Sequence, residues 1–339
     1  MDQHARNKAV IERLRSALYD TDVEALPGQL AELFSPDCAI YLAHPLGEMQ
    51  GPRALYERGY APLLAAIPDL ERRDYITIAG EDGGSQWIGC GGFYTGVFEQ
   101  PWLDIPPTQH IVTMRYAEFF RLENERIVEM RSLWDIPELM MQANAWPMGP
   151  SLGREYLVPG PATQDGLVAG PRDEERAAQS LKMVNDMLNG LAKHAEGGVQ
   201  AMGLEDYWHP KMVWYGPAGI GSGRRVSGFR HWHQRPFLNG MPDRRSLGED
   251  IAFAEGDYVG LFGWPALEAT ISADGWLGIA PSGQRVTIRS LDFWRCEGEL
   301  IRENWVLVDL LDIYHQVGVD VLGRMREMTP QRQALPPRL

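Results

Sequence analysis

The segment "IRENWVLVD" begins at Ile301, 174 residues after Ile127 of "IVEMRSLWD", and the two keep Ile, Glu and a terminal Asp in step. The same offset pairs Pro36 with Pro210, Tyr41 with Tyr215, Pro62 with Pro236 and Pro68-Asp69 with Pro242-Asp243. Agreement is densest late in each copy. There Val112, Thr113, Arg115, Phe119, Arg121 and Glu123 meet Val286, Thr287, Arg289, Phe293, Arg295 and Glu297. One constant shift, holding from Pro36 to Asp309, reads as a tandem duplication, and a repeat decides the architecture before any local propensity does. A chain of 339 residues is also too long for one ordinary core.

The expected boundaries follow. Copy one covers 1–145, a Pro- and Gly-rich connection 146–172, copy two 173–325, and a tail 326–339. Each copy opens on a helical pattern ("ARNKAVIERLRSALY"; "EERAAQSLKMVNDMLNGLAKH"). A short strand and a second helix come next ("PRALYERGYAPLLAAI"; "GFRHWHQRPFL"), and then several long strands. "EDGG" marks one hairpin turn, Asn124-Glu125 a second, and Gly298 its counterpart in copy two. Helices followed by a run of antiparallel strands indicate the α+β class.

Composition excludes several functions. A net charge of −14 without a basic stripe argues against a nucleic-acid surface. No apolar run is long enough to span a membrane, and the charged N-terminus does not read as a signal peptide. Cys38, Cys90 and Cys296 are odd in number and scattered, which argues against a disulfide framework and fits a reducing cytoplasm. "HWH" (His231, Trp232, His233) invites a metal. Residues two apart on a helix point in different directions, so no metal site is expected. The glycines of "GCGGFYTG" lie in a strand pattern with no following helix, and no dinucleotide or Walker motif is present.

The run "FYTGVFEQPWLDIPPTQHIVTMRYAEFFRLENERIVEMRSLWDIPELMMQ" resembles the second half of a SnoaL-like polyketide cyclase domain, as do "GIAPSGQRV" and "IRENWVLVD…HQVG" in copy two. Such domains belong to the nuclear-transport-factor-2-like superfamily. The resemblance implies two cones, each a curved antiparallel sheet wrapped around helices with a cavity at its open end, fused into an intramolecular pseudo-dimer. A further homo-dimer stays open. It also implies a small-molecule ligand, no cofactor, and a carboxylate near the end of the last strand as general acid and base. Asp309 and Asp135 are thereby nominated as catalytic, with His110 to orient the acid or shuttle its proton. In copy one Arg131 stands where the family pattern has Trp, and Ser132 and Val306 stand where another carboxylate can occur.

Hairpin geometry supplies the neighbours. With a two-residue turn at 124–125, His110, Tyr116, Glu118, Arg131 and Asp135 share one sheet face. In copy two Gln284, Ser290, Asp292, Trp305 and Asp309 share the equivalent face, with Trp305 opposite Asp292. Ionisable groups beside an aromatic suit a half-polar cavity wall better than a dry core. His44, after the first short strand, and His231 are further substrate-contact candidates. Trp102, Trp264, Trp276 and Trp294 suit an inter-domain face as well as a pocket. "DIPE" and "DLLD" carry a competing explanation, because an Asp preceding a helix caps its free N–H groups without any chemistry.

The expected function is binding of a small, moderately apolar carbonyl compound, with cofactor-free cyclisation, isomerisation or dehydration by proton removal next to the carbonyl. Hydrolysis is the lesser variant: a Glu118, Arg131, Asp135 cluster only loosely echoes the superfamily's Asp-Arg-Asp relay. A non-catalytic binder and a structural pseudo-dimer scaffold are the alternatives, because this fold hosts many unrelated activities.

Overall fold

A computed structural model describes residues 2–248 and 250–329; the end of the expected tail, 330–339, lies outside the described residues. The chain divides into two compact units. One comprises the residues up to Thr77, Gly83–Met148 and the segment from Asp309 onward; the other comprises Ile78–Asp82 and Gly149–Val308. Each unit is α+β. Helix Gln3–Ala17 opens copy one, with Asp2 accepting from the Ala5 amide and Val10, Ile11, Leu14 and Ala17 buried along one face. Helix Glu174–Ala192 opens copy two, capped by Asp173 and burying Val184 and Met187.

Copy one carries a six-stranded sheet in the order Glu48–Gln50, Phe34–Leu42, Arg126–Trp134, Ile111–Glu123, Ser85–Val97, Glu71–Asp82. Copy two repeats it as Gly223–Arg224, Trp208–Tyr215, Leu300–Val308, Arg285–Glu297, Tyr258–Thr270, Ile251–Glu255, with Arg245–Ser246 added beside Tyr258–Thr270. In both, the first long strand runs parallel to the last, and the long hairpins are antiparallel. Ile111–Glu123, Arg126–Trp134 and helix Ile136–Gln142 recur as Arg285–Glu297, Leu300–Val308 and helix Leu310–Gln316 at the offset of the sequence repeat. So does a π-helical turn, Tyr56–Tyr60 and Arg230–Gln234. Its cause is local. Pro62 and Pro236 follow the turn and have no N–H to give the residue four back, so the turn widens, and Ala61 and Arg235 bond five residues back.

The last hairpin corrects the register read from sequence. Asn124 and Glu125 form the expected two-residue turn with positive φ at both positions, and Glu123 pairs with Arg126. A bulge between Arg121 and Leu122 then shifts the ladder by one, so Tyr116 lies opposite Trp134 and Glu118 opposite Ser132. Copy two has the same bulge between Arg295 and Cys296, placing Asp292 opposite Val306 and Trp305 opposite Phe293. Because side chains alternate with period two, one inserted residue turns the last strand over. Arg131 and Trp305 are therefore on the other face from Glu118 and Asp292, contrary to the expectation. An ion pair spans the strands next to each bulge: Arg121 to Glu129 at 3.2 Å and Arg295 to Glu303 at 2.6 Å.

Candidate functional site

In copy two the corrected register turns Ser290, Asp292 and Trp294 of one strand and Asn304, Val306 and Val308 of the next toward the same cavity, about 190 Å³ in volume. Trp208, Trp214, Phe229, His233, Phe237 and Trp276 supply half of the remaining wall, and aliphatic side chains and Met187 the rest. Asp292 is 9% exposed. Burial pushes its carboxyl up to about 7, against hydrogen bonds from Asn304 and Ser290, and the nearby negative charge of Asp250 adds to the rise. Asp250 is itself pushed up to about 6 by burial, and its Oδ1 is buried without a hydrogen-bond partner.

Gly263 makes room for Asp250. A Cβ there would lie 2.2 Å from Asp250 Oδ1, and Gly263 pairs directly with Ser290. Paired residues point their side chains to one face, so the Asp250 carboxyl lies on the cavity side of the sheet, beside the serine that bonds Asp292.

His233 belongs to the π-helical turn. Its ring stacks on Trp214 at 4.2 Å and on Phe237 at 5.5 Å. Burial lowers its pKa to about 3, so the imidazole is neutral at physiological pH, and Nδ1 has no partner in the protein.

The equivalent space in copy one is filled. Arg72, entirely buried, pairs with Asp74 at 3.1 Å and with Glu118, and its guanidinium lies 4.5 Å from the Tyr116 ring centre. Tyr94 Oη, Ser132 Oγ and Trp134 Nε1 donate to Glu118 Oε1 at 3.3, 3.1 and 3.2 Å. The Tyr116 hydroxyl donates to Asp74. Burial opposes the charge on Arg72, yet Asp74 and Glu118 hold its pKa well above the ordinary value. Burial also raises Asp74, against the pull of Arg72.

The other nominated residues lie elsewhere. Asp135 pairs with buried Arg115 at 2.9 Å. Beside them, burial pushes Glu138 up to about 8, against Arg115, with Asp135 adding to the rise. Asp309 accepts from the His44 amide at 3.0 Å and, as helix cap, from the Asp312 amide at 3.2 Å. His44 also stacks on His315 at 4.5 Å. His110 is exposed; its amide donates to Thr108 Oγ1, and its carbonyl accepts from Phe98. Arg131 lies over the Tyr41 ring at 3.9 Å and pairs with Glu129. Trp305 stacks on Tyr215 and donates to the Pro159 carbonyl at 2.9 Å. His231 is exposed and borders an open groove with Trp276 and Asp274.

Of the residues nominated from sequence, the structure therefore joins Ser290 with Asp292 in one cavity and Tyr116 with Glu118 in one polar core. It does not bring Asp309, Asp135 or His110 to either. His233, Asn304, Trp208 and Asp250 were missed. A signal for three of them was available: at the repeat offset, copy one has Gly59, Met130 and Phe34 where copy two has His233, Asn304 and Trp208. Among the described residues no group of three or more His, Cys, Asp or Glu is placed to hold a metal ion, and no helix is long and apolar enough to cross a membrane.

The similar solved structures each align with less than half of this chain. A SnoaL-like protein from Jannaschia sp. CCS1 aligns with 42% of this chain and 95% of its own, at 19% identity and a TM-score of 0.36. IdmH from Streptomyces antibioticus aligns over 41% and 98%, at 20% identity and 0.35. AclR from Streptomyces galilaeus aligns over 44% and 87%, at 20% identity and 0.37. A search of curated proteins found no match. The family model for SnoaL-like polyketide cyclases matches twice, over residues 10–143 and 197–317, together more than half of the sequence. With both copies covered, the chain belongs to the SnoaL-like polyketide cyclase family.

Proposed function

We propose that copy two binds a small, moderately apolar carbonyl compound and catalyses cofactor-independent acid–base chemistry on it, with Asp292 as the acid–base group. The observation that carries this reading is a carboxyl pushed up to about 7 in the wall of a largely apolar cavity. A carboxylate so desolvated is a stronger base than one in water, and a pKa near the working pH lets it both take and return a proton. The ionised form removes the proton from the carbon next to the carbonyl, and the C–H pair moves onto the carbonyl oxygen as an enolate. The carboxylic acid so formed returns its proton to carbon, giving isomerisation, or to a departing β-hydroxyl, giving dehydration. Attack of the enolate carbon on a second carbonyl in the same molecule gives cyclisation, and the alkoxide formed there takes the proton back from the carboxylic acid. Ser290 and Asn304 orient the carboxyl.

Asp309, Asp135 and His110 stand in this reading as structural groups, since the two carboxylates are engaged by backbone amides or by Arg115. The buried ion pairs and hydrogen bonds around Glu118 support a second, scaffold role for copy one. The test is Asp292→Asn, which keeps the side chain's size. Turnover of an identified substrate should fall by about 100-fold or more while binding persists. Unchanged turnover in this variant would remove the proposal.

A further inference from the structure

Among the described residues, half-buried Arg244 has neither an ion pair nor a side-chain hydrogen bond. Its guanidinium lies 5.8 Å from the Phe237 ring centre, and its positive charge, after burial, lowers the pKa of His233. Both rings belong to the copy-two cavity wall, and both keep some exposure. Arg244 also stands two residues before Ser246, whose strand partner Leu267 is another half-buried residue of that wall. The arginine therefore adjoins the side on which the wall reaches solvent.

The acids around it are committed elsewhere. Asp243 accepts from the Thr270 amide at 2.8 Å and from the Thr270 hydroxyl at 2.7 Å. Glu268 pairs with Arg245 and Arg285. Burial lowers the pKa of Arg244 with no carboxylate to oppose it, whereas Arg176, Arg230 and Arg295 have Asp257, Glu205 and Glu303. Packing on Phe237 needs only a hydrocarbon stem, and 5.8 Å is near the outer limit of cation–π attraction. Neither explains a charge that burial makes costly. At the repeat offset copy one has Leu70, which is 2% exposed. The copy with the filled interior thus has hydrocarbon at this place, and the copy with the cavity has a guanidinium.

We propose that the ligand of the copy-two cavity is a short oxo acid whose carboxylate is bound by Arg244 at the rim. This rests on the proposed function, in that the cavity is taken as the binding site. A guanidinium presents two parallel N–H groups that match one carboxylate. Burial and Arg244 lower the pKa of both His194 and His233, so neither adds a second positive charge. That suits a monoanion better than a phosphate group of charge about −1.5 to −2. An ammonium group would be repelled. About 190 Å³ is below the roughly 300–1,000 Å³ of sites for drug-sized ligands, so the part that enters is one ring or a short chain. The carboxylate stays where water reaches, away from Asp292 and Asp250, and the carbonyl end goes inward to the wall that holds Asp292.

The experiment titrates the full chain by calorimetry, at neutral pH and low salt, with 4-oxocyclohexanecarboxylate, its methyl ester and 4-aminocyclohexanone. The acid should bind at least about 10-fold more tightly than the ester, and the amine more weakly than either. Arg244→Gln should abolish the preference for the acid while changing ester affinity by less than about 3-fold, and Arg244→Lys should restore part of it. A merely structural arginine would move acid and ester together, which would overturn the proposal. Equal affinity of the wild-type chain for acid and ester would also overturn it and leave the cavity as a binding site. So would a preference for the acid that survives Arg244→Gln, or acid binding unaltered by Ser290→Tyr. Failure of all these compounds to bind the wild-type chain would overturn the underlying reading as well.

Discussion

Glu118 and Asp292 occupy the same place in the two copies, and they meet opposite fates. In copy one the carboxylate faces Arg72, with Tyr94, Ser132 and Trp134 donating to it. In copy two the corresponding positions are smaller: Arg72 gives way to Ser246, Tyr116 to Ser290 and Trp134 to Val308. Tyr94, which pairs with Met114, gives way to Leu267, which pairs with Ile288. Loss of four large side chains leaves a cavity, and loss of the guanidinium leaves Asp292 without a buried cation. One position therefore carries a carboxylate paired with a buried guanidinium in one copy and a carboxyl without a buried cation in the other. The contrast teaches that a carboxylate's chemistry here is set by the strands beside it.

The largest effect expected is on the filled copy. Arg72→Met leaves Glu118 and Asp74 buried without their counter-charge and should cost about 3–5 kcal/mol of unfolding free energy, read by urea denaturation. A loss below about 1 kcal/mol would mean that Arg72 does not hold the two carboxylates in the folded chain. Next, Ser290→Tyr places copy one's aromatic in the open copy. It should reduce binding of any cavity ligand by at least about 10-fold without unfolding the chain, measured by calorimetry beside circular dichroism. Retained affinity would locate the ligand elsewhere.

A smaller effect tests the pairing of Asp250 with Asp292. If ionised Asp292 is the base, kcat/KM rises with pH around a midpoint near 7. Removing the neighbouring negative charge makes Asp292 easier to ionise, so Asp250→Asn should move that limb to lower pH by roughly half a unit. Movement to higher pH, or none, would separate the two carboxyls. The smallest effect belongs to Asp309→Asn. Asn caps helices about as well as Asp, so stability should change by less than about 1 kcal/mol and turnover should not change.

Much of the architecture was legible because a repeat tests itself: proline, turn and strand positions had to serve two copies at once. The cap at Asp309 was also legible, since an Asp before a helix has a local reason to be there. The hidden part was the bulge. Nothing in "RLENERIV" announces the extra residue, and without it the alternation puts Arg131 and Trp305 on the wrong side. Copies read against each other showed more than either alone, since His233, Asn304 and Trp208 replace Gly59, Met130 and Phe34. Asp250 could not be found this way, because what exposes it is Gly263 opposite Ser290, a pairing that only the folded sheet creates.

The bulge beside Arg295 makes the last hairpin a one-notch selector. Losing it with no change of length would keep Ser290 and Asp292 where they are while turning the adjoining strand over, so that Asp292 faced Trp305 in place of Val306. Asn304, Val306 and Val308 would leave the interior, and Glu303, Trp305 and Leu307 would take their places. A change of register at one pair of residues would thus exchange three of the side chains that line this cavity while leaving the facing strand in place.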